Sequence, residues 1–205
     1  MQKQLTKRIF DIMVSILGMI FLSPIFITIG LLIKTTNRGT ILFRQQRVGK
    51  YGRLFYIHKF RTMVMNAEQQ GPSVTASNDL RITKIGKILR KTKLDELPQL
   101  YDVLIGNMSI VGPRPEVLEY VNIYPEHIKQ IVLSVKPGIT DLASLHMINE
   151  GELLEKSTNH KKYYINHIMP QKLALMVEYV NTQSTIGDIQ IILKTLYKII
   201  CQLSS

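Results

Sequence analysis

Two adjacent carboxylates, Asp95 and Glu96, follow the basic and hydroxyl run Arg90-Lys91-Thr92-Lys93 and lead into Leu97-Pro98-Gln99-Leu100. Cations beside a carboxylate lower its pKa and hold phosphate oxygens within reach, so the pattern suits Asp95 as a nucleophile towards phosphorus. Glu96 then serves as a base or shares a metal. The same residues also have a plain structural reading. Acidic residues are favoured in the first turn of a helix by its macrodipole, and Pro98 suits the start of a helix running towards Leu104. A little further on, Gly112-Pro113-Arg114-Pro115-Glu116 holds one arginine between two prolines. The stiffened backbone presents Arg114 in a fixed pose, and its planar fork matches a diphosphate. The alternative is a rigid turn whose arginine is only solvated.

These residues need elements to position them. Ile41 to Phe43 and Leu54 to Ile57 are strand-like runs joined by Val48-Gly49-Lys50-Tyr51-Gly52, the pattern of a small hairpin. Residues 68 to 78, with Gly71 and Pro72, read as a loop. Asn78 or Asp79 is then placed to cap a helix over 81–90. In that helix Ile82, Ile85 and Leu89 share one side and Lys84, Lys87 and Lys91 another, as in a basic amphipathic helix. That face suits solvent or an anionic bilayer. Near the end of the chain Ile189, Ile192, Leu193, Leu196, Ile199 and Ile200 recur at helical spacing, with Lys194 and Lys198 opposite. Core packing, membrane contact and an oligomer seam all fit this stripe.

From Ile12 to Ile33 there are 22 residues without a charge, interrupted by Ser23-Pro24. At 1.5 Å per residue such a helix would reach about 33 Å, enough to cross a bilayer once. Pro24 has no N–H for the Ile20 carbonyl, so the helix should bend there, and the Ser23 hydroxyl can serve a freed carbonyl. Lys3, Lys7 and Arg8 precede the segment, while Lys34, Arg38, Arg44 and Arg47 follow it. Cations at both ends favour a hairpin that enters and leaves through one leaflet. Prolines also occur in plain spanning helices, so both topologies stay open. A cleaved signal peptide fits poorly, since the run is too long and no small-residue cleavage site follows. Asp11 is expected at the interface, partnered by Lys7 or Arg8 along the helix.

The 205 residues then divide into an anchor over 1–37, a domain over 38–185 and an amphipathic helix over 186–205. The fold expected is α+β and mostly helical: a re-entrant helix hairpin, a small domain with a short β-hairpin, and amphipathic surface helices. A net charge of +11 points to anionic partners, whether lipid headgroups, phosphorylated substrates or nucleic acid. Cys201 is the sole cysteine, which excludes an intrachain disulfide and a cysteine-rich metal site.

Taken in order, Lys7-Arg8 with Asp11, Ser23-Pro24, Lys59-Phe60-Arg61-Thr62-Met63, Leu94-Asp95-Glu96-Leu97-Pro98-Gln99-Leu100, Gly112-Pro113-Arg114-Pro115 and Pro137-Gly138-Ile139-Thr140 resemble the bacterial sugar transferases called monotopic phosphoglycosyl transferases. The resemblance implies transfer of sugar 1-phosphate from a UDP-sugar to undecaprenyl phosphate with release of UMP, the first membrane step of glycan assembly. It implies that Asp95 attacks the β-phosphate to give a phosphosugar-enzyme, that Glu96 completes the dyad, and that Mg²⁺, held at Asp95, assists. Lys59, Arg61, Arg90 and Arg114 become the phosphate-binding candidates, with membrane-facing cations as the alternative for the first three. The implied location is the cytoplasmic face of the bacterial inner membrane, among anionic lipids, with no nucleic-acid partner. The chain lacks the additional amino-terminal spanning helices of larger members and so looks like the minimal catalytic form. It departs from the pattern after Thr140, where Glu150, Glu152 and Tyr163-Tyr164 have no assigned counterpart. A reading from a different class is a non-catalytic, membrane-anchored basic module that binds anionic lipid or nucleic acid.

Overall fold

A computed structural model describes residues 2–36, 39–71, 75, 79–147, 150–155, 157 and 159–204. The fold is mixed α/β and mostly helical, with two small two-stranded sheets. Helices α1 (Gln2–Phe21) and α2 (Ser23–Thr36) meet at the Ser23-Pro24 break with a bend of 61°. The break has the chemistry its residues dictate. Pro24 cannot donate to the Ile20 carbonyl, and the Ser23 hydroxyl donates to it instead at 2.8 Å. Among the described residues no single helix is long and apolar enough to cross a membrane, although this bent pair passes that test jointly.

The helix pair has two faces. Val14, Met19, Leu22 and Phe26 pack against the core formed by Ile57, Leu100, Val103, Met108, Ile110 and Val111. Ile29 and Ile33 close on Phe60 and Leu89. Ile33 is fully buried, worth about 1.5–3 kcal/mol on transfer from water. The opposite face exposes Ile9, Met13, Ile16, Ile20, Phe21, Ile27 and Leu31.

The polar residues of α1 overturn one expectation. Asp11 is buried and bonds to the Ser109 hydroxyl and the Ile110 N–H, not to Lys7 or Arg8. Lys7 pairs with Asp188, and Arg8 donates to the Val103 and Leu104 carbonyls. A carboxylate on an apolar helix gains more from backbone and hydroxyl donors in the core than from mobile lysines at a surface. Of the flanking cations counted above, Lys7, Arg8 and Arg47 thus bond within the protein, and Arg38 lies outside the described residues.

Strands β1 (Leu42–Val48) and β2 (Leu54–Phe60) form the antiparallel hairpin, in register from Leu42 opposite Phe60 to Val48 opposite Leu54. It runs longer than its apolar ends suggested, because Arg44 to Arg47 belong to the first strand. After a short turn at Ala67–Gln69, helix α3 (Lys84–Lys91) begins later than expected. Its cap is Thr83, whose hydroxyl accepts from the Gly86 N–H at 2.9 Å, a bond worth about 1 kcal/mol. Asp79 instead grips the Arg81 guanidinium, and Asn78 lies outside the described residues. Gly86 is required because a Cβ there would overlap the Thr62 carbonyl, which the Thr83 N–H and hydroxyl also reach.

A tight turn at Leu94–Glu96 leads into α4 (Gln99–Leu104), then β3 (Ser109–Val111). Helices α5 (Leu118–Val121) and α6 (Glu126–Val132) follow, and β4 (Gly138–Thr140) pairs parallel to β3. Gly112 and Gly138 let these backbones touch: a Cβ on either would meet the other segment. Short helices α7 (Leu142–His146), α8 (Glu150–Glu155) and α9 (His160–Tyr163) precede a wide π turn over Tyr164–Ile168, then α10 (Met169–Thr182) and α11 (Thr185–Ser204). On α11 Ile191 and Ile192 join the core, while Asp188, Thr195 and Lys198 bond to Lys7, Thr140 and the Leu145 carbonyl. Ile189, Leu193, Leu196 and Ile200 of the predicted stripe are exposed, so its outer part is not core packing.

Candidate active site

The end of β2, the turn at 94–96, the C-terminal half of α3 and the loop after β3 converge on one cavity of about 1210 Å³. Lys59, Arg61, Arg90, Asp95, Glu96 and Arg114 all line it. The hairpin carries Lys59 and Arg61, and the parallel β3–β4 pair fixes the loop that carries Arg114. Arg114 is held at both ends: its backbone N–H donates to Asp141 Oδ2 at 3.1 Å, and its guanidinium reaches the Ile139 carbonyl at 3.4 Å.

Glu96 is the electrostatic centre. Arg114 Nη1 meets Glu96 Oε2 at 3.0 Å, Arg114 Nη2 bonds to Oε1, and Lys59 Nζ reaches Oε1 at 3.0 Å. Burial alone would push the Glu96 carboxyl up, but Arg114 and Lys59 outweigh it and hold the group well below the usual carboxylate range. Glu96 in turn raises Arg114, against burial. Burial lowers Lys59 despite the pull of Glu96. The arginine expected to be open to a diphosphate therefore has its fork on a carboxylate.

Asp95 behaves in the opposite way. It is 6 % exposed, and its Oδ1 is buried with no hydrogen-bond partner. Burial, then the charge of Glu96, pushes its pKa up, against Lys59, Lys93 and Arg90. This corrects the expectation that neighbouring cations lower it. Lys59 is already committed to Glu96, and desolvation outweighs the downward pull of the three cations on Asp95. Just before the pair, Lys93 adopts a left-handed conformation with φ +57°, a strain of order 1–3 kcal/mol for a residue with a side chain.

The other two cations sit further round the wall. Arg90 Nε donates to the Thr62 hydroxyl at 2.9 Å, and burial lowers its pKa while Asp95 raises it. Arg61 is 5 % exposed, with Nη1 2.8 Å from Met65 Sδ. Neither lies on an outward face, so the alternative of membrane-facing cations does not describe them.

Sequence reasoning missed a second polar cluster on the same cavity. Glu116 receives the Tyr164 hydroxyl at 2.5 Å, Lys172 Nζ at 3.4 Å and Arg47 Nη1 at 3.5 Å. Lys172 also reaches Glu150 Oε2 at 3.1 Å, which gives Glu150 and Tyr164 a place that their sequence context did not. The π turn over 164–168 aims Tyr164 at Glu116. The only sequence signal was the position of Glu116 directly after the Arg-Pro pair. The side chain of Glu152 lies outside what is described.

This chain belongs to the bacterial sugar transferase family, whose model matches residues 2–202. It is 42% identical over 165 residues to a UDP-glucose:undecaprenyl-phosphate glucose-1-phosphate transferase of Klebsiella pneumoniae, covering 79% of this chain and 36% of that protein. It is 36% identical over 198 residues to a protein of the same description from Escherichia coli K12, covering 95% of this chain and 40% of the relative. A UDP-N-acetylgalactosamine-undecaprenyl-phosphate N-acetylgalactosaminephosphotransferase of Aeromonas hydrophila is 40% identical over 141 residues, 68% of this chain and 33% of that protein. The chain thus spans about a third to two fifths of the length of these relatives.

Proposed function

We propose that this protein transfers sugar 1-phosphate from a UDP-sugar to undecaprenyl phosphate through a phosphosugar bound to Asp95, with release of UMP. The observation that carries the reading is the buried, unpartnered Asp95 oxygen beside a glutamate whose own oxygens are taken by Lys59 and Arg114. Of the two carboxylates, only Asp95 is left to attack. An Asp95 oxygen bonds to the β-phosphorus, the bond from that phosphorus to the bridging oxygen breaks, and UMP departs with the oxygen. A phosphate oxygen of the acceptor then attacks the same phosphorus and Asp95 leaves as carboxylate. Lys59, Arg90, Arg61 and Arg114 stand around the cavity to hold the charge of both phosphorylated substrates.

The residues present fit Mg²⁺. Among the described residues no group of three or more acidic, histidine or cysteine side chains is placed to cage a metal. Mg²⁺ needs no such cage, since it commonly takes one or two carboxylates and completes its shell with substrate phosphates and water. Asp95, with a free oxygen, would hold it, and Glu96 would not. When bound, the ion would neutralise diphosphate charge.

The bent pair α1–α2 serves as a re-entrant anchor in the cytoplasmic leaflet of the bacterial inner membrane. The exposed apolar face of α1 and α2 supports this, opposite the face that packs on the domain. Anionic lipid suits the exposed Lys84, Lys87 and Lys91 of α3. With Cys201 replaced by serine, cysteine tags at positions 2 and 40 should react from the same side of sealed vesicles; labelling from opposite sides would mean a spanning helix.

The reaction is tested by UMP release from a panel of UDP-sugars with undecaprenyl phosphate and Mg²⁺. One donor and the lipid should both be required. Intact-protein mass spectrometry with donor alone should show one added phosphosugar, absent in Asp95→Asn. Turnover without any trappable adduct would argue for direct transfer between substrates.

A further inference from the structure

Asp11 lies on α1, far in sequence from the acidic pair, yet it is 2 % exposed and its Oδ1 accepts from the Ile110 N–H and the Ser109 hydroxyl, each at 3.0 Å. One turn earlier Lys7 Nζ donates to the Val111 carbonyl at 3.0 Å and to Asp188 at 2.5 Å. The Tyr179 hydroxyl reaches the same carbonyl at 3.0 Å. Every residue of β3 is therefore fastened to α1, and Arg114 stands three positions beyond its end. From the same turn of the helix, Arg8 Nη1 and Nη2 donate to the Val103 and Leu104 carbonyls at 2.6 and 2.8 Å. These are the last carbonyls of α4, the helix that starts three positions after Glu96. The two partners of the central ion pair, Glu96 and Arg114, thus sit on separate segments, each gripped by residues one turn of α1 supplies.

We infer that Asp11 and Arg8 are positioning residues, through which α1 sets the placement of Arg114 relative to Glu96 and Asp95. Neither touches the cavity. A hydrophobic residue at 11 would fill the same space but leave the Ile110 N–H buried without an acceptor and release the strand that aims Arg114. Misplacement by about 1 Å can cost a reacting group on the order of a hundredfold in rate.

The kinetic arm of the test rests on the transfer reading above; a second arm does not. With the full chain in nanodiscs, Asp11→Ala should lower kcat for UMP release about tenfold or more. Asp11→Asn keeps an acceptor oxygen and should recover most of that loss. The double variant Asp11→Ala with Arg114→Lys should be no slower than the slower single variant, because both changes act on one guanidinium. Additive losses, or full rate in Asp11→Ala, overturn the inference. In hydrogen exchange, peptides covering 109–116 should exchange faster in Asp11→Ala than in the unaltered protein, while the hairpin at 42–60 is unchanged. Equal exchange at 109–116, or a rise spread over the whole domain, overturns it whether or not any donor is turned over. Should Asp11→Ala fail to fold, Arg8→Lys gives the same reading at 99–107, since lysine keeps the charge but cannot span two carbonyls. An unaltered protein that releases no UMP would sink the reaction and leave the exchange result to decide the positioning.

Discussion

Two buried glutamates lie on the wall of one cavity, Glu96 and Glu116, each clamped by a lysine and an arginine. Both are held below their ordinary pKa by those cations, against burial. What differs is the company. Glu116 also takes the Tyr164 hydroxyl, and its lysine bonds onward to Glu150, so the cluster turns inward upon itself. Beside Glu96 stands Asp95, with a buried oxygen that nothing meets, preceded by a strained Lys93. A carboxylate whose oxygens are all met rigidifies a fold, whereas one with an unmet buried oxygen is open to a ligand; the unmet atom of the Glu116 cluster, Arg47 Nε, belongs to a guanidinium already bonded to Glu116 and Gln45. The same chemical ingredients thus make a scaffold at one end of the cavity and a reactive site at the other.

The largest effect should separate the two ends outright. Asp95→Asn is expected to reduce UMP release about a thousandfold or more, as loss of a nucleophile does, while leaving thermal stability equal or higher. A variant that keeps turnover would remove Asp95 from the reaction and erase the contrast. Next in size is Lys172→Met. Removing one partner of a buried pair leaves its carboxylate uncompensated, at about 3–5 kcal/mol, readable as a lower urea midpoint. Turnover per folded molecule should change only a few-fold. A collapse of turnover with folding intact would move the Glu116 cluster from scaffold to substrate contact.

The contrast was half legible in the residues themselves. The acidic pair, the arginine between prolines and the serine-proline break are local patterns, and each carries its chemistry within a few positions. The hairpin was legible from its apolar runs and turn glycines, and the two amphipathic helices from periodicity, although the first was expected over 81–90 and lies at Lys84–Lys91. What stayed hidden was every pairing over long separation: Asp11 with Ile110, Lys7 with Asp188, Glu116 with Tyr164 and Lys172. Asp11 reads as an interfacial residue because Lys7 and Arg8 are near in sequence, and nothing local says that β3 will dock there. The sign of the Asp95 shift failed for a related reason. Spacing counts neighbouring cations, but only the fold decides how many are already engaged and how much water is excluded.

That shift gives the smallest and sharpest test. The ordinary value for Asp95 is 3.8 and its folded value is raised, so between the two the unfolded chain has released a proton that the folded chain keeps. Ionisation then favours unfolding, and Asp95 costs stability increasingly as pH rises from about 3.8 to its folded pKa, by about 1.4 kcal/mol for each unit of separation. Glu96 has an ordinary value of 4.5 and a depressed folded one, so its contribution is present above 4.5 and is lost as pH falls through the folded pKa. In urea denaturation across this range, the stability of Asp95→Asn relative to the unaltered protein should therefore climb with rising pH, and that of Glu96→Gln should fall. A climb in neither, or a fall in both, would mean that Lys59, Lys93 and Arg90 outweigh desolvation at Asp95 after all. The two adjacent carboxylates would then be alike in charge, and the unpartnered Asp95 oxygen alone would tell them apart.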